Sequence, residues 1–89
     1  MRLDVLLFEL RLFKSRTQAA SACQLDLITL NGAPAKPSRE VNPGDRIHLD
    51  TGRSRTLEIL ELPHASLSKS DAARFYREIA EGDIDRGQG

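Results

Sequence analysis

Tryptophan is absent, cysteine occurs once, and tyrosine and phenylalanine together number four among 89 residues. A single thiol, Cys23, excludes an internal disulfide framework, and with only two histidines it leaves no ligand set for a structural zinc ion. So few aromatics, none of them tryptophan, argue against gripping single strands by base stacking. No apolar run approaches the roughly 20 residues of a membrane-spanning helix. The stretch Val5 to Phe8 is too short for a secretory leader, and Glu9 and Arg11 follow at once. Net charge is lacking as well, with 13 basic and 13 acidic side chains. What these absences leave is one small soluble domain of the cytoplasm, without cofactor or metal and with little room for a catalytic cleft.

Apolar spacing supplies the outline. Leu3, Leu6, Leu7 and Leu10 fall at i, i+3, i+4 and i+7, one stripe of a helix ending near Leu12, with Asp4 and Arg11 placed to suit its dipole. Ser15 is suited to cap a second helix over about Arg16 to Leu25, rich in small residues from Ala19 to Cys23. The period then changes. Ile28-Thr29-Leu30 runs into Asn31-Gly32, a pair that readily takes the positive φ angles of a tight turn. Prolines 34 and 37 predict an extended, irregular stretch over Ala33 to Ser38, and Asn42-Pro43-Gly44-Asp45 a turn. Arg46 to Asp50 alternates as a half-buried strand, with Ile47 and Leu49 inward. Thr51 to Thr56 reads as a polar loop and Leu57 to Leu62 as a second strand, with Pro63 closing the sheet. Ser68-x-x-Asp71, with Ser70 competing as the cap, opens a last helix. Its buried stripe is Ala72, Phe75, Tyr76 and Ile79; it frays by Gly82, and Gly87 to Gly89 are disordered.

The zero net charge is unevenly spread. Residues 1–55 carry nine lysines and arginines against six acids, while residues 56–89 carry four against seven. Such a split is what a basic binding face on a neutral chain produces, although charged side chains are most often simply solvated. Arg46, Arg53 and Arg55 read as solubilising charges of the hairpin. His48 and His64 have no metal-partner spacing, and Cys23 reads as a small core residue.

Three features follow in order: Arg2-Leu3-Asp4-Val5 opening the first helix, Phe13-Lys14-Ser15-Arg16-Thr17-Gln18 opening the second, and Asn31-Gly32-x-Pro34-Ala35-Lys36-Pro37-Ser38-Arg39 leading to Val41-x-Pro43-Gly44-Asp45. In this order they resemble the S4 RNA-binding domain, and within that superfamily the heat-shock protein 15 family of ribosome-associated proteins. Ala72-Ala73-x-x-Tyr76 is similar to that family's terminal helix. The likeness covers residues 2–50 well and the rest loosely. It implies an α+β fold in which two helices pack on a small, strongly bent antiparallel sheet: an S4-type domain over 1–62, then a C-terminal helix and tail over 63–89. Asp26 stands where the family has a glycine to end the second helix.

The resemblance further implies that RNA lies across the opening of the second helix and the adjacent loop. The residue chemistry agrees. A helix N-terminus offers free amides and positive dipole to a phosphate, flanked here by Lys14 and Arg16, with the Ser15 hydroxyl as a further donor. Gln18 and Ala19 in the first turn would face the same ligand. Lys36, Ser38 and Arg39 form a second cluster on a proline-stiffened loop, converging beside the same helix end, and Arg2 and Arg11 complete the surface. Such contacts hold a backbone rather than read bases, so shape recognition of structured RNA follows. The implied ligands are large-subunit ribosomal RNA or peptidyl-tRNA, in translation or ribosome quality control, with DNA left open as a competitor. Nothing in the sequence points beyond a monomer. The alternative is a protein-interaction domain on the same fold, its RNA surface weakened and its alanine-rich helix docking a protein. Catalysis is the poorest reading.

Overall fold

The computed structural model describes residues 1–64 and 67–79, so the expectations for Gly82 and for Gly87 to Gly89 lie outside the described residues. Helix α1 spans Leu3–Glu9 and α2 Arg16–Gln24. The predicted stripe is the core face of α1: Leu3, Leu6 and Leu7 are fully buried and Leu10 almost so. Ala19, Ala22 and Cys23 turn the small-residue face of α2 into the same core. Burial first, and then the Asp4 carboxylate of the first turn of α1, push the Cys23 thiol of the last turn of α2 up.

Both helices end in the same way. At α1 the amides of Arg11 and Leu12 reach back to the carbonyls of Phe8 and Leu7; at α2 those of Asp26 and Leu27 reach back to Cys23 and Ala22. This pair of bonds is the Schellman motif, which needs left-handed backbone just past the helix. Arg11 and Asp26 adopt it, at φ of 61° and 60°. Neither is glycine, so each turn carries strain that a hydrogen-bonding aspartate relieves better than an arginine.

The sheet is antiparallel, in the order β2-β1-β3-β4-β5, with β1 at Ile28–Leu30, β2 at Ala33–Pro34, β3 at Arg46–Asp50, β4 at Ser54–Ile59 and β5 at Tyr76–Ile79. Asn31 and Gly32, both at positive φ, make the two-residue turn between β1 and β2. Ile47 and Leu49 face the helices together with Ile28, Leu30, Leu57 and Ile59, all buried. Asn31 also locks this turn to the next one: its side-chain oxygen accepts from the Arg46 amide at 2.9 Å and its Nδ2 donates to Asp45 at 3.1 Å. On the opposite face His48 is half-buried, its ring nitrogens bonded to Thr56 Oγ1 at 2.8 Å and Ser54 Oγ at 3.0 Å. That is a structural role for a residue to which sequence alone assigned none.

The last third corrects the sequence reading. Pro63 does not close the sheet, and the second strand starts at Ser54 inside the predicted loop. Ser68 does cap a helix, accepting from the Asp71 amide, but α3 runs only over Lys69–Ala72. Beyond it the chain extends as β5, pairing Tyr76 with Ile59 and Ile79 with Thr56. The spacing of Ala72, Phe75, Tyr76 and Ile79 fits a helix, yet so short a helix gains little by itself, whereas β4 would otherwise keep an unpaired edge. Pairing with β4 wins. Cross-strand ion pairs reinforce it, Arg77 to Glu58 at 2.6 Å and a two-pronged Arg55 to Glu78 at 2.9 Å. Hydrogen bonding to Arg55 holds the Glu78 carboxyl below its ordinary range.

Replacing the strained Asp26 with glycine should raise stability by roughly 0.5–1 kcal/mol, the relieved strain less the added chain entropy. Urea unfolding reads this as a higher midpoint at unchanged slope; an unchanged or lower midpoint would show that Asp26 is not strained.

Candidate nucleic-acid interface

The two helix N-termini are treated in opposite ways. Every first-turn amide of α1 is occupied. Leu3 donates to the Arg39 carbonyl at 2.8 Å, Asp4 to the Pro37 carbonyl at 3.0 Å, and Leu6 to the Arg2 carbonyl. The Val5 amide donates to Asp4 Oδ1 at 2.8 Å. The loop over residues 36–39 is thereby bound by its carbonyls, which leaves the side chains of Lys36, Ser38 and Arg39 exposed. The Met1 ammonium donates to Glu40 and the Met1 carbonyl accepts from Val41, which draws the chain start into the same junction.

At α2 the side chains do the capping. Ser15 Oγ accepts from the Gln18 amide at 3.1 Å, and Gln18 Oε1 accepts from the Lys14 amide at 3.3 Å. Ser-x-x-Gln is a capping-box spacing visible in the sequence, although Gln18 reaches the amide just before the cap rather than that of Ser15; the reading of Gln18 as a pure ligand contact missed it. The Ser15 hydroxyl proton and the Gln18 amino group remain available. The first two helical amides, of Arg16 and Thr17, have no protein acceptor among the described hydrogen bonds. Free amides at the positive end of a helix dipole suit an anion.

Around this end Lys14, Arg16 and Gln18 are exposed and Ser15 is half-exposed. Arg11 belongs to the same corner, its Nε donating to the Leu67 carbonyl at 3.0 Å. It lies past α1 in left-handed backbone rather than in the last helical turn. Ala19 does not face a ligand: it is fully buried, because the position that stays small on α2 is the one packed against α1 and the sheet. Arg2 is half-exposed and pre-paired, its Nε and Nη2 each 3.1 Å from the buried Asp4 carboxylate.

The expected convergence of both basic clusters on one helix end is not found. Lys36 and Pro37 line a groove of about 480 Å³ with Cys23, Gln24 and Asp26, at the carboxyl end of α2. Lys14 lines a different cleft with Arg11, Leu12, Phe13 and Lys69. Nine helical residues, roughly 13 Å at 1.5 Å each, separate the two. The reason is the saturated N-terminus of α1, which binds the loop at its own end. Lys69, brought in from α3, was missed by sequence reading, and no local signal announces a partner 55 residues away.

Two helices laid on a five-stranded antiparallel sheet, with an open, basic helix N-terminus at one corner, define an S4-type RNA-binding module. The S4 domain profile matches residues 1–47. A protein of Bacillus subtilis named RQC P-site tRNA stabilizing factor is 37% identical over 82 residues, covering 91% of this chain and 94% of its own. Its namesake in Halalkalibacterium halodurans is 34% identical over 89 residues, covering 99% and 100%. Among solved structures, Vibrio cholerae heat shock protein 15, described as trimeric, superposes with a TM-score of 0.86 at 29% identity over 99% of this chain and 90% of that one. The chain belongs to the S4 domain family, in its heat-shock protein 15 branch, whose members are non-enzymatic RNA-binding proteins.

Burial and the nearby Asp4 carboxylate push the Cys23 thiol up to about 11 from about 9. The folded state therefore holds the proton more tightly than the unfolded chain. The stabilisation is complete below about pH 9 and is lost as pH rises through 11. Urea unfolding across that window should lose stability more steeply for the parent than for Cys23→Ala. Equal slopes would show that the thiol ionises as freely in the fold as outside it.

Proposed function

We propose that this chain binds structured RNA through the α1–α2 side of the module, and that its ligand is the P-site tRNA held on the large ribosomal subunit during ribosome quality control. The observation that carries this reading is the contrast between the helix ends. One is sealed by the chain itself; the other keeps two amides without an acceptor among the described residues, a serine hydroxyl and the cations Lys14 and Arg16 turned outward. A phosphate there would accept from amides and hydroxyl while Arg16 grips it with two parallel bonds. Lys36, Ser38 and Arg39, about one helix length away, would meet a further stretch of the same backbone, so a rigid folded RNA is favoured over a flexible strand. The relatives named P-site tRNA stabilizing factors span nearly the whole chain and supply the choice of tRNA. Such a ligand places the protein in the cytoplasm. Among the described residues no helix is long and apolar enough to cross a membrane.

Titration of the full chain with a tRNA and with an unrelated folded RNA over a salt series tests the reading. About four phosphate contacts give a slope of log affinity against log salt of roughly −3 to −4. Arg16→Ala and Lys14→Ala should each weaken binding to both RNAs and flatten the slope by about one unit, with unchanged thermal unfolding. Affinity indifferent to salt, or single and double variants that bind like the parent, would instead favour a protein-docking module.

A further inference from the structure

The cleft at the α1–α2 corner has a volume of about 440 Å³ and is lined by Arg11, Leu12, Phe13, Lys14 and Lys69. Three of the five are cations, two are apolar, and none is a carboxylate. Arg11 and Lys14 come from the connection between the helices; Lys69 comes from α3, beyond the residues that the S4 profile matches. We propose that Lys69 is a phosphate-binding residue that completes this cleft, and that the cleft takes one backbone phosphate of the bound RNA. The inference rests on the RNA-binding reading above and adds to it a residue outside the S4 motif.

Pairing separates these cations from three arginines of the chain. Arg55, Arg77 and Arg2 each have a carboxylate partner, on Glu78, Glu58 and Asp4. No ion pair among the described residues involves Arg11, Lys14 or Lys69. Three like charges drawn together from distant parts of the chain repel one another, and an anion between them removes that cost. Their placement is also fixed by other contacts. The guanidinium of Arg11 donates to the Leu67 carbonyl, which pins the chain two residues before Lys69 against the corner. On the far side, Ala72 is buried and Ser68 caps the turn. Lys69 itself is exposed, so its ammonium is free to reach a ligand. Leu12 and Phe13 form apolar walls that keep water from one side of the cleft and strengthen a charge pair within it. A lysine supplies this as a point charge, with no demand on phosphate orientation.

The test titrates a tRNA into the full chain and its Lys69→Ala, Lys69→Arg, Arg16→Ala and Arg53→Ala variants over a salt series. Arg53 is an exposed arginine of the β3–β4 turn, lining a separate depression with Thr51, Arg55 and Glu78. Lys69→Ala should lose about fivefold in affinity near 0.1 M salt and about one unit of salt slope, Lys69→Arg should restore both, and Arg53→Ala should match the parent. The proposal fails if Lys69→Ala binds like the parent while Arg16→Ala is weakened, or if Arg53→Ala loses as much as Lys69→Ala, which would make net charge the cause. A parent that binds no RNA at any salt overturns the RNA-binding reading itself.

Discussion

The molecule is organised around four amides at the start of α1. A helix must satisfy its first-turn donors, and here the donors of Leu3 and Asp4 take the carbonyls of Arg39 and Pro37. Residues some 35 positions apart are thereby joined at the backbone. The junction extends through Met1 to Glu40 and Val41, which ties the chain start to the same loop. Because carbonyls make these bonds, the loop's side chains turn outward. The same event that folds the loop also presents Lys36, Ser38 and Arg39 to solvent, at a distance from the opening of α2.

Charge follows a similar division of labour. A chain of zero net charge binds a polyanion only if its acids are spent elsewhere. Glu78 and Glu58 face arginines across the β4–β5 pair, and Asp4 holds Arg2 from beneath. Exposed pairs of this kind add little stability, but each neutralises a carboxylate away from the helical corner. Of the cations without an ion-pair partner among the described residues, Arg11, Lys14, Arg16 and Lys69 lie where α2 begins, so the local field there is positive although the whole chain is neutral.

Much of this was legible beforehand because it depends on short stretches of chain. The leucine stripe of α1, the Ser15 cap, the Asn31-Gly32 turn and the alternation of β3 each rest on backbone preferences spanning fewer than ten residues. The family motif was legible too, although its Asn31 and Asp45 prove to serve the link between two turns rather than a ligand. The candidate site was legible only in part. Lys14, Ser15, Arg16 and Gln18 sit where the capping pattern puts them. Ala19 was misplaced because its position in the first turn was credited to a ligand when helix packing claims it. Lys69 could not be found from neighbours in sequence.

By itself the sequence determined the first two helices, the Asn31-Gly32 turn and the chemistry offered at each of those helix ends, since caps and positive-φ residues act within a turn or two of where they stand. Tertiary structure alone decided the fate of residues 73–79 and the distribution of the cations. Tyr76 to Ile79 satisfy either a helical or an extended pattern locally, and the unpaired hydrogen-bonding groups of β4 settle the choice. The two basic stretches are equally free in sequence to meet or part. They part because the first helix claims the loop for its own amides, and a backbone already bound at one end of α2 cannot also lie at the other.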